Sequence, residues 1–269
     1  MNQNGIKLGK TNNYIVSAGS WKGDGGASMG VLPKAIWQKK ITPDEKNRIP
    51  LALNLLIIRT AAKTILIDTG IGNKITAKQQ KIYQPSEFCL PENLKKLGIE
   101  PEEIDYVVLT HLHFDHAGGI VSAQNGEYKL TFPNATHIIQ QREWEIAKHP
   151  DGLNMASYNF KADLTLLEES GNFLLIDGDH QLTDEVRLEL VGGHTEGMQS
   201  IRIESDGELA YYAGDIITSE PHLHPAVTSA YDVCRKDTYH AKKRILSELQ
   251  QREGILFFPH DHKKAFIQL

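Results

Sequence analysis

Residues 106–119 read Tyr106-Val-Val-Leu-Thr-His-Leu-His-Phe-Asp-His-Ala-Gly-Gly119. The first four form a β-branched and aliphatic run of strand type. His111, His113, Asp115 and His116 then follow within six residues, in the loop beyond the strand's C-terminal end, where α/β folds commonly place ligands. His111 and His113 alternate by two, so both can face one metal ion from an extended segment, while Asp115 and His116 turn toward a second. An ordinary polar loop, with Asp115 capping a short helix before Ala117, explains any one of these residues; it explains poorly four donors so close together.

Outward from this stretch, Asn54 to Thr60 and Lys63 to Asp68 read as two short strands joined by a tight connection, with Asp68 at a strand end. Glu87 to Leu97 has helical spacing of Phe88, Leu90, Leu94 and Leu97, stopped by Gly98. Later strands are expected at 136–139, 173–176, 186–191, 199–204, 208–213 and 255–258, and helices at 142–148 and 236–252. Runs of strands with isolated helices favour a layered α/β sandwich over a strictly repeating βαβ fold.

The chain has 269 residues, 40% apolar and 23% charged. These values predict one large domain, residues 1–269, with a sizeable core and no long disordered tract. A net charge of −5 argues against nucleic-acid binding through a broad basic face. Cys89 and Cys234 are far apart and lack a CxxC spacing, so neither a disulfide framework nor a thiolate zinc site is expected. The start, Met1 to Tyr14, is polar, and no apolar run reaches the ~18 residues of a membrane span. A soluble, cytoplasmic protein with no membrane partner is the expectation.

A hydrolytic metal site needs nitrogen and oxygen donors converging from several elements, with a position left open for water. Three more donors follow apolar runs: His194 in Gly192-Gly-His-Thr-Glu-Gly197, Asp215 in Ala213-Gly-Asp215, and His260 in Phe258-Pro-His-Asp261. The arrangement that uses them all gives one ion His111, His113 and His194, the other Asp115, His116 and His260, with Asp215 between them. This donor set suits two divalent ions, Zn2+ first, with iron, cobalt and manganese also compatible.

The order His111-x-His113-x-Asp115-His116, His194, Asp215, His260 resembles the signature of the metallo-β-lactamase superfamily, and the resemblance spans almost the whole chain. It implies a four-layered αβ/βα sandwich, two sheets face to face with helices outside and the metals at one edge. Asp68 matches an acidic residue that ends an early strand in that family, which implies a role behind the ligands, holding the metal loop; a simple turn aspartate is the alternative. Residues 110–119 closely resemble the metal loop of quorum-quenching N-acyl-homoserine lactonases. Asp24 to Trp37 is similar to the N-terminal segment of lactonase-like members, which makes Met29, Leu32 and Trp37 candidate pocket walls, or else plain core. Tyr231-Asp232 and the helix after it look like a segment shared with organophosphate-hydrolase-like members.

One position departs from the pattern. Well-known lactonases carry a tyrosine three residues after the bridging aspartate, where this chain has Thr218. His222 and His224 follow, as a different polar contact to substrate or as exposed loop residues. The resemblance implies hydrolysis of a small lactone or ester by metal-activated water, with Asp115 as the candidate to carry a proton to the leaving alkoxide, and it allows a homodimer. A phosphotriesterase- or arylesterase-like hydrolase is the nearest alternative, and a non-catalytic metal-binding protein is the alternative of another class. Glyoxalase II-like, nuclease and flavodiiron readings fit less well. Only nine residues follow His260, no basic face is visible, and the metal loop has histidine where flavodiiron proteins carry glutamate.

Overall fold

The computed structural model describes residues 5–153 and 155–269, so the first four residues of the polar start lie outside the described residues. In chain order the strands are β1 (Ile6–Leu8), β2 (Thr11–Asp24), β3 (Arg48–Arg59), β4 (Thr64–Ile67), β5 (Tyr106–Val108), β6 (Val121–Gln124), β7 (Glu127–Leu130), β8 (Thr136–Gln140), β9 (Phe173–Ile176), β10 (His180–Gln181), β11 (Val186–Leu190), β12 (Gln199–Ser205), β13 (Glu208–Tyr212), β14 (Ile255–Phe257) and β15 (Phe266–Gln268). One sheet has the order β1-β2-β3-β4-β5-β8-β9, the second β10-β11-β12-β13-β14-β15, and β6 and β7 form a separate two-stranded sheet.

The two sheets bury their facing sides against each other. Leu56, Ile58, Ile65, Ile67, Val108 and Ile138 of the first meet Val186, Leu188, Ile201, Ile203, Tyr212 and Phe257 of the second. Each fully buried aliphatic side chain there contributes roughly 1.5–3 kcal/mol of transfer free energy. The outer face of the first sheet packs on Leu90 and Leu94 of helix Leu90–Lys96, Trp144 and Ala147 of helix Gln141–Lys148, and Leu167 of helix Thr165–Ser170. The outer face of the second packs on Ala241, Ile245, Leu246 and Leu249 of helix Arg235–Gln251. Three apolar interfaces therefore separate four layers, helix, sheet, sheet and helix, which is the sandwich expected.

Strand direction carries the donors to one edge. β4, β5, β8 and β9 run parallel, so Asp68 and the stretch from His111 emerge side by side at their C-terminal ends. In the second sheet β13 and β14 are parallel, which brings Asp215 and His260 out together. Gln199 joins the two sheets at this edge, its backbone N–H donating to the Thr110 carbonyl at 2.9 Å and its side-chain amide to Leu109 O at 2.7 Å.

Several expectations need correction. The long strand β2 and its antiparallel partner β3, which begins at Arg48 rather than Asn54, extend well beyond what was read from the sequence. Pro50 lies inside β3 and hides the alternation of Ile49, Leu51 and Leu53, all buried. The β6–β7 hairpin was also missed. Its turn is Asn125-Gly126, both with positive φ, 52° and 85°, the conformation for which Asn-Gly is the strongest short hairpin signal. The helix expected over 87–97 is the shorter Leu90–Lys96, with Pro91 accommodated in its first turn. Cys89 and Cys234 are free, and among the described residues no helix is long and apolar enough to cross a membrane.

Candidate metal centre

The metal loop is positioned by close backbone contacts. Gly119 approaches the 69–72 segment so nearly that a Cβ there would lie 2.1 Å from Thr69 O. Thr69 donates from both its backbone N–H and its hydroxyl to His116 O, at 2.7 and 2.8 Å. Asp68, in the left-handed region at φ 60°, an unusual conformation for a residue with a side chain, accepts from Thr110 N–H at 2.8 Å and from the His116 Nδ1 side at 2.8 Å. It thus spans the start and the end of the donor stretch.

Seven side chains meet at the sandwich edge. His111 and His113 lie in the loop, Asp115 and His116 in the single helical turn Phe114–Ala117, His194 in the loop after β11, Asp215 in the turn Gly214–Ile216 and His260 just after β14. Six are buried, and Asp215 is partly so. Three groups have donor atoms within 4.8 Å of one another: His111, His113 and His194; His111, His116 and Asp215; Asp115, His116 and His260. The first and third are the two triads read from the sequence, and Asp215 lies between them. Its Oδ1 is 3.2 Å from His116 Nε2 and 3.1 Å from His260 Nε2, and its Oδ2 is 3.5 Å from His194 Nε2.

The rings are held by their second nitrogens. His116 Nδ1 faces Asp68, His194 Nδ1 faces Asp232 at 2.9 Å, and His260 Nδ1 faces the Ala52 carbonyl at 2.8 Å. With those nitrogens donating, the neutral rings turn Nε2 lone pairs inward. His116 Nε2 then confronts His260 Nε2 at 3.1 Å, and His194 Nε2 confronts His113 Nδ1 at 3.1 Å. In the His116–His260 pair, two lone pairs at that distance repel unless a proton or a cation lies between them. Nitrogens about 2.0–2.1 Å from a tetrahedral zinc are about 3.3 Å apart, close to what is seen. His111 Nε2 and Asp215 Oδ1 are buried and make no hydrogen bond. Orphaned donors aimed at one another fit a pair of divalent ions.

The electrostatics agree. Burial holds His111 and His113 well below the ordinary histidine pKa, reinforced by the neighbouring histidines. Burial also opposes protonation of His116, but Asp215, Asp115 and Asp68 outweigh it and raise that ring well above the ordinary value. Asp215 is penalised by burial yet held well below the usual carboxylate range by His260 and His116. Positive charge is what this centre lacks, and metal uptake would release the protons that otherwise supply it.

Two supports were missed by sequence reading. Glu143, buried in helix Gln141–Lys148, accepts from Leu112 N–H at 3.0 Å, the Tyr158 hydroxyl at 2.9 Å and the Thr195 hydroxyl at 2.6 Å. It ties the metal loop to the residue after His194. Asp232 orients His194; its segment was noted, but not this contact. Nothing in the local pattern marks either residue, since each reaches a partner in the donor segments more than thirty positions away. Asp232→Ala is expected to weaken metal binding about 10- to 100-fold with little change in the folded state, read by competition with a chromogenic chelator beside circular dichroism.

A cavity opens over the donors, walled by Trp21, Leu51, Tyr83 and Phe114, with Ser28, Ser157, Thr218, Ser229 and Tyr231 adding polar groups. Trp21 meets Tyr83 and Phe114 edge-on, and Tyr83 stacks on Phe114 at 5.2 Å. The expected walls are corrected here. Met29 and Trp37, each 1% exposed, belong to the core beneath the first sheet, and Leu32 packs against that core. Their apolar spacing served packing, and the long β2 and β3 bring Trp21 and Leu51 to the cavity instead. Thr218 does line it. His222 is no exposed loop residue, nor does it line the cavity: it is buried behind Thr218, whereas His224 is exposed.

Comparison with known proteins places these features in context. The family model described as Metallo-beta-lactamase superfamily matches residues 49–262. An N-acyl homoserine lactonase from Bacillus sp is 30% identical over 234 residues, covering 82% of this chain and 85% of the relative. A probable metal-dependent hydrolase from Staphylococcus aureus superposes with a TM-score of 0.92 at 31% identity, covering 98% of this chain and 94% of that one. AidC, a dizinc quorum-quenching lactonase in complex with a product, superposes with a TM-score of 0.77 at 25% identity, covering 98% and 92%.

Proposed function

The chain belongs to the metallo-beta-lactamase superfamily, and from that premise we propose that it is a dinuclear zinc hydrolase that opens N-acyl-homoserine lactones or closely related lactones. The observation that carries this reading is the convergence of His111, His113, His194, Asp115, His116, His260 and Asp215 at the floor of a cavity with aromatic walls. The lactonase relatives support the substrate class.

When bound, divalent ions at these donors supply Lewis acidity and activate water near neutral pH. The protein's own groups do the rest. Asp215 turns one oxygen to each triad and holds the two together. Asp115, whose Oδ2 lies 3.7 Å from His116 Nε2 and 3.6 Å from His260 Nε2, also faces the cavity. It is positioned to pass a proton to the alkoxide expelled on ring opening, which otherwise leaves slowly. Trp21, Leu51, Tyr83 and Phe114 offer apolar surface to an acyl chain and exclude water from the reacting ester. A small molecule is thus the partner this site takes.

The test is pH-stat turnover by zinc-reconstituted protein of N-decanoyl-homoserine lactone, run beside an aryl phosphotriester and a simple aryl ester. Lactone opening as the fastest reaction is the expected outcome. Faster phosphotriester cleavage would replace the lactonase assignment with the organophosphate one, and no turnover by fully metallated protein would leave a binding protein.

A further inference from the structure

Behind the cavity wall lies a buried histidine that the proposed chemistry does not use. His222, 3% exposed, sits in the turn Glu220–Leu223. Its Nε2 is 3.0 Å from the Ser28 carbonyl. A carbonyl can only accept, so Nε2 carries the proton and Nδ1 is an acceptor with a single lone pair. Burial and the nearby Lys242 lower the His222 pKa to about 4, so this neutral form persists at neutral pH.

Two hydroxyls compete for that lone pair, Thr218 Oγ1 at 2.9 Å and Ser219 Oγ at 3.0 Å. Only one can donate to it at a time. Ser219 is buried at 4% exposure, and its hydroxyl makes no other hydrogen bond among the described residues. A buried donor left unmatched costs about 1–3 kcal/mol. Thr218 differs, because it lines the cavity and can find an acceptor there. Its backbone is fixed to the metal centre, its carbonyl accepting from His260 N–H at 3.0 Å.

Resting on the hydrolase reading above, we propose that the Thr218 hydroxyl donates a hydrogen bond to an oxygen of the bound lactone or ester, and that Ser219 takes over the His222 lone pair as it does so. Thr218 is then a substrate-contacting residue. Ser219 and His222 are positioning residues that let the hydroxyl turn into the cavity without stranding a buried acceptor. No bond other than hydrogen bonds changes, and no proton leaves its oxygen.

The test is a double-mutant cycle on zinc-reconstituted protein with the best ester or lactone substrate. Thr218→Val is expected to lower kcat/KM about tenfold, the upper end for one neutral hydrogen bond, and Thr218→Ser to restore it. Ser219→Ala is expected to lower kcat/KM several-fold although Ser219 does not touch substrate, because Thr218 must then leave Nδ1 unmatched. The double variant should be no worse than Thr218→Val alone. Additive losses, or a silent Ser219→Ala, would overturn the handover.

Absence of turnover by the wild type would defeat the hydrolase reading without touching the hydroxyl pair, which 15N NMR of His222 reads independently. Nδ1 should keep its hydrogen-bonded shift in each single variant, Thr218→Val and Ser219→Ala, and move to the free-acceptor value only in the double. A single variant that already moves it would show that one hydroxyl alone donates, contrary to the proposal.

Discussion

Asp215→Ala is expected to lose bound metal and to lower kcat/KM on the order of a thousandfold or more. This carboxylate faces both triads through different oxygens, so its removal weakens two sites at once. A loss of about 4 kcal/mol in transition-state stabilisation corresponds to that factor, and Lewis-acid stabilisation alone supplies several kcal/mol. The fold should survive, because Asp215 lies in a turn after β13 and contributes nothing to the apolar cores. Metal analysis and circular dichroism on the same sample separate these effects. A folded Asp215→Ala protein that keeps its full metal content would remove Asp215 from the ligand set.

The second large effect falls on stability. Glu143→Ala leaves the Leu112 N–H, the Tyr158 hydroxyl and the Thr195 hydroxyl without their common acceptor. Each stranded buried group costs about 1–3 kcal/mol, so a total of at least about 3 kcal/mol is expected, equivalent to at least roughly 6–12 °C in Tm for a chain of this size. Burial raises the Glu143 pKa, and the three donors pull it back. Glu143→Gln retains an acceptor for Leu112 and Tyr158, and should recover most of the loss. Differential scanning calorimetry on both variants checks this. An equally unstable Gln variant would mean that the negative charge, rather than the acceptor geometry, carries the support.

These two residues also mark what can and cannot be read from a chain. Asp215 and the other candidate donors announce themselves because polar donors at the ends of apolar runs have little structural reason to cluster. The stretch from His111 to His116 packs four of them onto one loop. The layering is legible for a related reason, since the strand runs near 65–67, 106–108 and 201–203 are apolar enough to be buried. Glu143 is a single acidic residue in an amphipathic helix, indistinguishable in sequence from its solvent-facing neighbour Glu145. Only the packing of that helix beneath the metal loop gives it three donors. Met29 and Trp37 show the converse failure. Apolar spacing reports burial but not what does the burying, so core and cavity wall look alike until β2 and β3 are seen to carry Trp21 and Leu51 to the mouth of the site. The hairpin at Asn125-Gly126 is legible from that dipeptide alone.

The most direct measurement is the zinc content per chain of protein stripped with a chelator, reconstituted with excess zinc and desalted, determined by inductively coupled plasma mass spectrometry. Two ions per chain, falling when Asp215 is replaced by Ala, is the expected result. A value of one or none in correctly folded protein would contradict the dinuclear centre from which the proposed hydrolysis follows.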